Sequence, residues 1–278
     1  VSAAAEADAA VIFAGLPESF ESEGFDRSHM RLPESQNNLI ARVAAVQKNT
    51  VVVLHTGSPV ECPWANDVNA VLCMYLGGEG VGAAADALLW GDANPSGRLP
   101  ETWPLRLEDT PCYLDFPGDG RHVEYREGVY VGYRWYDAKN VTPAFPFGHG
   151  LSYTAFSATT PTLAASGAKQ VVKTTVTNTG AKAGAEVVQV YLGLPAVSSV
   201  GDKTGVTLVQ PPKRLVGFQK VSLAAGESKE LTFTINSTDT NHPLSIWSKA
   251  FKLWATPSGT VTFYAGKSSS LRDLKSAT

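Results

Sequence analysis

Glu21, Glu23, Asp26 and Arg27 fall within one short stretch, Glu21-Ser22-Glu23-Gly24-Phe25-Asp26-Arg27, with an aromatic set among the charges. A carboxyl group beside an aromatic and partly out of water has its charged form disfavoured, so its pKa rises. It can then donate a proton near neutral pH, which is the work of a general acid. Glu23 and Glu21 are the two candidates here. Taken on composition alone, the stretch also fits a solvated loop in which Asp26 and Arg27 are ordinary surface charge.

The elements that must position these groups can be read on either side. The apolar run Ala10–Leu16 reads as a buried strand ending at Gly15, and Val1–Ala9 as the end of a helix. Loops at the carboxyl ends of strands in open α/β sheets are where ligands bind. After the acidic stretch, Leu32-Pro33-Glu34 starts a helix: Pro33 suits a first turn, and Leu39, Ile40, Val43 and Val46 recur at helical spacing up to Asn49. Thr50–Thr56 is a β-branched run of the kind found in parallel strands covered on both faces, and Gly57-Ser58-Pro59 breaks it. Ala70–Tyr75 reads as another buried strand. It leads through Gly77-Gly78-Glu79-Gly80 into a helix, Val81–Leu89, that sets Ala83–Ala85 and Leu88–Leu89 against the sheet.

Strand–helix–strand–helix order predicts right-handed crossovers and a parallel sheet. Three strands make a thin sheet, so the chain is expected to be one piece of a larger protein. The glycine turn has neither Gly-x-Gly-x-x-Gly spacing nor a following Lys-Ser/Thr, and it reads as a tight βα turn rather than a phosphate cradle. Glu79 would border the sheet edge that carries Glu23.

Composition narrows the function classes. The 278 residues suffice for two domains, and 44% hydrophobic with 18% charged residues is ordinary for a globular chain. A net charge of -3 without a basic run gives no reason to expect nucleic acid. Apolar runs such as Val51–Leu54 and Ala83–Trp90 are far shorter than a membrane span, so no membrane partner is expected. Val1–Ala10 does not resemble a signal peptide, which says little if the chain begins inside a longer polypeptide. Cys62, Cys73 and Cys112 cannot all pair and fit no zinc pattern; they are expected to be reduced. The histidines are scattered, and neither a metal nor a cofactor is expected.

From Gly91 to Gly150 both periodicities fade, and Gly91–Pro100 is dense with turn formers. Tyr130, Tyr133, Trp135 and Tyr136 crowd together. That composition suits stacking on a sugar, but it also suits gluing a loop to a domain, the reading preferred here, with Arg134 paired to Glu127. Beyond Thr154 short strands follow at Gln170–Asn178, Glu186–Leu192, Lys213–Val221, Ser228–Ile235, Trp247–Trp254 and Gly259–Ala265. Their number and spacing indicate a sandwich of the immunoglobulin or fibronectin type III kind. Val187–Leu192 does not alternate strictly, Gly193–Pro211 reads as a long loop, and Trp247, Phe251 and Trp254 read as core.

Four blocks together resemble the family 3 glycoside hydrolases, the β-glucosidase group. They are Glu23-Gly24-Phe25-Asp26-Arg27, Asn94-Pro95-Ser96-Gly97-Arg98-Leu99-Pro100, Tyr125–Tyr136, and Phe145-Pro146-Phe147-Gly148-His149-Gly150-Leu151-Ser152-Tyr153. The resemblance spans Val1 to about Tyr153, and the remainder is similar to the fibronectin-like domain that ends many such enzymes. It implies an α/β fold followed by all-β: a partial parallel-sheet α/β sandwich domain over 1–153, with a closing loop region, and a fibronectin type III-like β-sandwich over 154–278. It also implies that Glu23 is the proton donor and that Phe25 lines the leaving-group subsite, with Glu21 the competitor.

The family's nucleophile, an aspartate followed by tryptophan on a (β/α)8 barrel, has no counterpart here: none of the six tryptophans follows an aspartate. The expected partners are therefore a β-glucoside or oligosaccharide substrate and a barrel domain of the same protein or of another chain. The chain by itself should be inactive. The rival expectations are a non-catalytic carbohydrate- or protein-binding module, in which exposed aromatics would gather on one sandwich sheet, and another specificity such as β-xylosidase.

Overall fold

A computed structural model of the chain describes residues 1–195, 197–200, 203–207 and 209–278. They form two compact units, Val1–Ala93 with Trp103–Thr110, and Asn94–Thr102 with Pro111–Thr278.

The first unit runs α1 (Ser2–Glu6), β1 (Ala10–Gly15), α2 (Glu34–Ala44), β2 (Thr50–His55), β3 (Ala70–Cys73) and α3 (Val81–Trp90). The three strands make a parallel sheet in the order β1-β2-β3, with Ala10 opposite Thr50 and Val51 opposite Ala70. Central β2 is sealed, with Val52, Val53 and Leu54 buried, as its β-branched composition predicts. β1 and β3 differ from expectation. β1 is an edge strand that buries Ile12 and Ala14 but leaves Val11 45% and Phe13 59% exposed, and β3 is only partly covered. An edge position pairs one side only, and α2 covers one stripe: its Ile40, Val43 and Ala44 are buried, whereas Leu39, and Val46 just past its end, face out. In α3 only Ala85 is fully buried; Ala83 and Ala84 are exposed and Leu88–Leu89 half-buried.

The second unit begins with irregular chain and α4 (Tyr133–Lys139), a helix that the fading periodicity concealed. Then follow β4 (Phe156–Ala158), β5 (Thr162–Ser166), β6 (Lys169–Asn178), β7 (Gly184–Gly193), β8 (Val197–Val200), β9 (Lys203–Thr207), β10 (Arg214–Leu223), β11 (Ser228–Asn236), β12 (Ile246–Ser248), β13 (Leu253–Ala255), β14 (Thr262–Gly266) and β15 (Leu274–Ala277). One sheet runs β10-β7-β14-β15 and the other β11-β6-β4, with β5 also on β6. Their inner faces share a core that includes Val172, Val190, Leu192, Leu231, Phe233 and Phe263.

β7 is covered on both faces, which explains its broken alternation. Val188, Val190 and Leu192 enter the core. On the other face Tyr191 meets the Tyr133 ring edge-on at 5.5 Å and gives its hydroxyl proton to Gln189. Tyr133 in turn lies against Phe147, their ring centroids 5.3 Å apart, and accepts the Leu215 amide proton at 2.7 Å, so this tyrosine fastens its segment to the sandwich. Asn94 ties the turn-rich block down by accepting from Ser152 Oγ and the Tyr153 amide and donating to the Ala183 carbonyl. Arg98 donates twice to Glu186.

Three expectations are corrected in this unit. Arg134 makes no ion pair with Glu127 among the described residues; it leans over the Tyr133 ring, and its Nε is buried without a partner. Trp247–Trp254 is a hairpin, β12 against β13, turned at Lys252 with φ of 51°. Its Trp247 and Trp254 sit directly opposite each other and stay 47% and 44% exposed, with Phe251 also exposed, because a two-stranded ribbon has no second layer to bury them. Within Gly193–Pro211, β8 pairs with β9 instead of forming a plain loop, while residues 196, 201, 202 and 208 of that expected loop lie outside the described residues.

Candidate active site

The candidate residues lie on the loop from Leu16 to Leu32, which leaves the carboxyl edge of the parallel sheet at β1. Its start is fixed by two sets of contacts. The Leu16 amide donates to the His55 carbonyl at 3.1 Å, and the Gln36 side chain of α2 bonds both the amide and the carbonyl of Gly15. A tight turn follows, with the amides of Phe20 and Glu21 on the Pro17 carbonyl. The loop's end is anchored where the Glu61 amide donates to the Met30 carbonyl and where Met30 and Leu32 are buried.

Between these anchors the two candidate glutamates have opposite fates. Glu21 is occupied: Oε2 accepts from the Gly57 amide at 2.7 Å and Oε1 from Ser58 Oγ at 2.8 Å. Glu23 is exposed, and its carboxylate has no hydrogen-bond or ion-pair partner among the described residues. Arg27, the cation nearest in sequence, is not spent on it; its Nη2 donates to Ser58 Oγ at 2.8 Å and to the Pro59 carbonyl at 3.3 Å. Phe25 is half exposed, two residues on from Glu23. Gly24 between them has φ of +90°, a backbone that glycine adopts without strain. Glu79 follows β3 in the short turn Gly78–Gly80 and is exposed at the carboxyl edge of the same sheet.

A carboxylate with this freedom can take or give a proton to a group brought before it. The exclusion of water expected around it is not supplied by these residues, since Glu23 and Phe25 both face solvent. Sequence reasoning missed Gly57 and Ser58, which it treated only as a strand breaker. The available signal was their place directly after a parallel strand, at the edge where such sheets bind ligands. Among the described residues no cluster of His, Cys, Asp or Glu could hold a metal ion, and no helix is long and apolar enough to cross a membrane.

A parallel α/β unit with a free loop carboxylate, continued by an antiparallel sandwich, is the architecture of a multidomain α/β protein. The chain belongs to glycosyl hydrolase family 3: residues 1–153 match the family's C-terminal domain, and residues 186–269 match a fibronectin type III-like domain. The first match runs past the first compact unit into residues that pack within the second.

Thermostable β-glucosidase B of Acetivibrio thermocellus is 46% identical, over 98% of this chain and 35% of that protein. Among solved structures, DesR, a β-glucosidase from Streptomyces venezuelae in complex with D-glucose, matches with a TM-score of 0.86 at 42% identity, over 99% of this chain and 34% of DesR. The Kluyveromyces marxianus β-glucosidase, also in complex with glucose, gives a TM-score of 0.90 at 36% identity, over 99% of this chain and 32% of its own. The chain thus spans about a third of the length of these relatives.

Proposed function

We propose that this chain is the C-terminal part of a retaining β-glucosidase acting on terminal non-reducing β-D-glucosyl residues, with Glu23 as its general acid/base. The observation that carries the reading is the contrast on one loop: Glu21 is consumed by hydrogen bonds and Glu23 is left free at a ligand-binding sheet edge. The glucose-bound relatives support the sugar.

In such a reaction Glu23, as the acid, protonates the glycosidic oxygen while a second carboxylate attacks the anomeric carbon. Glu23, now ionised, then takes a proton from the water that releases glucose. The two carboxyl groups must stand about 5–5.5 Å apart in a retaining enzyme. The nucleophile belongs to polypeptide outside this chain, on the barrel that the family resemblance implies. In this reading Phe25, two residues on from Glu23 and half exposed, borders the leaving group. The rival reading of a binding module gains nothing from the exposed tryptophans, because they sit on the β12–β13 ribbon and not on either sheet of the sandwich.

The test is Glu23→Gln in the full-length protein. Hydrolysis of cellobiose, whose leaving group needs protonation, should fall by about 10²–10⁴-fold. Formation of the glycosyl-enzyme from 2,4-dinitrophenyl β-glucoside, whose leaving group does not, should change little. Undiminished turnover of cellobiose by the variant would remove Glu23 from the mechanism.

A further inference from the structure

We infer that Ser58, through Glu21 and Arg27, is the positioning residue that aims Glu23; the inference rests on Glu23 being the acid/base. Glu21 and Arg27 stand on either side of Glu23, and both reach one hydroxyl. Ser58 Oγ donates to Glu21 Oε1 at 2.8 Å and accepts from Arg27 Nη2 at 2.8 Å. A hydroxyl has one proton to give and lone pairs to receive, so a single serine closes both feet of the loop.

Each foot has a second hold on the same segment: the Gly57 amide on Glu21 Oε2 at 2.7 Å and the Pro59 carbonyl under Arg27 Nη2 at 3.3 Å. Between the feet, the side chains of Ser22, Glu23 and Asp26 make no hydrogen bond among the described residues. The crown that carries the proton donor is therefore held only through its base. Gly57 belongs to the same device, since a Cβ there would lie 2.8 Å from Glu21 Oε1. A glutamate that accepts two hydrogen bonds and an arginine that donates two are being used here as struts. Without the hydroxyl, Glu21 Oε1 and Arg27 Nη2 each lose a partner and the crown is free to shift. Displacement of a catalytic group by about 1 Å can cost on the order of 10²-fold in rate.

The experiment compares Ser58→Ala, Ser58→Thr, Glu21→Gln and Glu23→Ala in the full-length protein, reading kcat/KM on cellobiose and on 2,4-dinitrophenyl β-glucoside. Sodium azide is added as a small nucleophile that needs no general base. Ser58→Ala should lose about 10–100-fold on cellobiose and several-fold less on the activated glucoside, with Ser58→Thr recovering most of the loss. Glu21→Gln, which keeps the side-chain volume, should show the same selective loss and gives the answer if Ser58→Ala does not fold.

An equal loss on both substrates, or none, overturns the positioning role. In that event, β-glucosyl azide formed by Glu23→Ala still upholds Glu23 as acid/base. If azide instead rescues Glu21→Gln and not Glu23→Ala, Glu21 is the acid/base and both readings fall.

Discussion

β2 in the first unit and β7 in the second are both central strands, yet their neighbours are treated differently. Around β7 every layer is supplied by the chain itself: the opposite sheet covers one face, and Tyr133 with Phe147 stands over the other. Two of the charges drawn into that cover are matched, although Arg134 Nε beside Tyr133 is not. Arg98 meets Glu186, and Lys213 meets Asp137 while lying against the Tyr133 and Tyr191 rings. Around β2 the cover stops after one strand, with Val11 and Phe13 of β1 open to solvent. Natural proteins seldom leave an apolar edge strand bare, because it can pair with other chains. The same unit carries the unmatched Glu23. The cover over β7 is thus supplied within the chain, whereas the sheet that bears the candidate acid leaves an apolar strand face and a carboxylate exposed.

If that contrast is right, the largest penalties come from opening the matched unit. Arg98→Ala should be among the most damaging, because the two side chains are only 5% and 7% exposed and Glu186 would keep a buried, unpaired charge. Breaking such a pair costs about 3–5 kcal/mol. Faster amide hydrogen exchange along β7 in the full-length protein should report it. Unchanged protection there would mean that Glu186 finds water or another donor, and that the cover is looser than described.

A paired substitution sharpens the contrast. Phe233→Ala removes a ring from the sandwich core and should cost about 3–5 kcal/mol. Phe13→Ala, on the exposed face of β1, should stay within about 0.5 kcal/mol in this chain. Denaturation of both variants measures the gap. In the full-length protein a Phe13→Ala penalty above ~2 kcal/mol would show that this face is covered there. Equal penalties for the two positions in this chain would erase the distinction between the units.

How much of this was legible in the sequence follows the same division. β2 was readable because a β-branched run has one natural home, a strand buried on both faces. Glu23 is a candidate through its neighbours, Gly24-Phe25-Asp26-Arg27, and not through spacing alone. Burial on β1 was misjudged because apolar composition says what a strand could bury, not whether a partner layer is present. The exposed tryptophans were misjudged for the same reason: Trp247 and Trp254 lie on a ribbon with one layer. Helix α4 was hidden by its tyrosines and tryptophan, which blur a helical stripe; Tyr133 among them serves the cover over β7. Ser58 was invisible because its importance comes from two residues, Glu21 and Arg27, that only the folded loop brings to it.

The smallest effect tests the matched unit through pH. His149 sits near the Phe145 ring at 5.0 Å, and burial pushes its pKa below the ordinary 6.5; Arg98 and Lys267 push the same way, and Asp273 opposes them. In the unfolded chain the imidazole takes a proton at its usual value, so below about pH 6.5 the unfolded state binds more protons than the folded one. Stability contributed by the neutral ring is therefore present above that pH and is lost as pH falls through the lowered folded value. One such group changes stability by at most about 1.4 kcal/mol per pH unit. Asp137 shifts the other way, raised by burial against the pull of Lys213, and its stabilising effect lies at low pH and is lost as pH rises through its folded value. Thermal unfolding of the second unit between pH 7 and 5.5 should thus show a modest loss on the acid side. His149→Phe, which keeps a ring against Phe145, should flatten it. An unchanged slope in that variant would assign the acid loss to another group and leave the cover over the sandwich indifferent to protonation at His149.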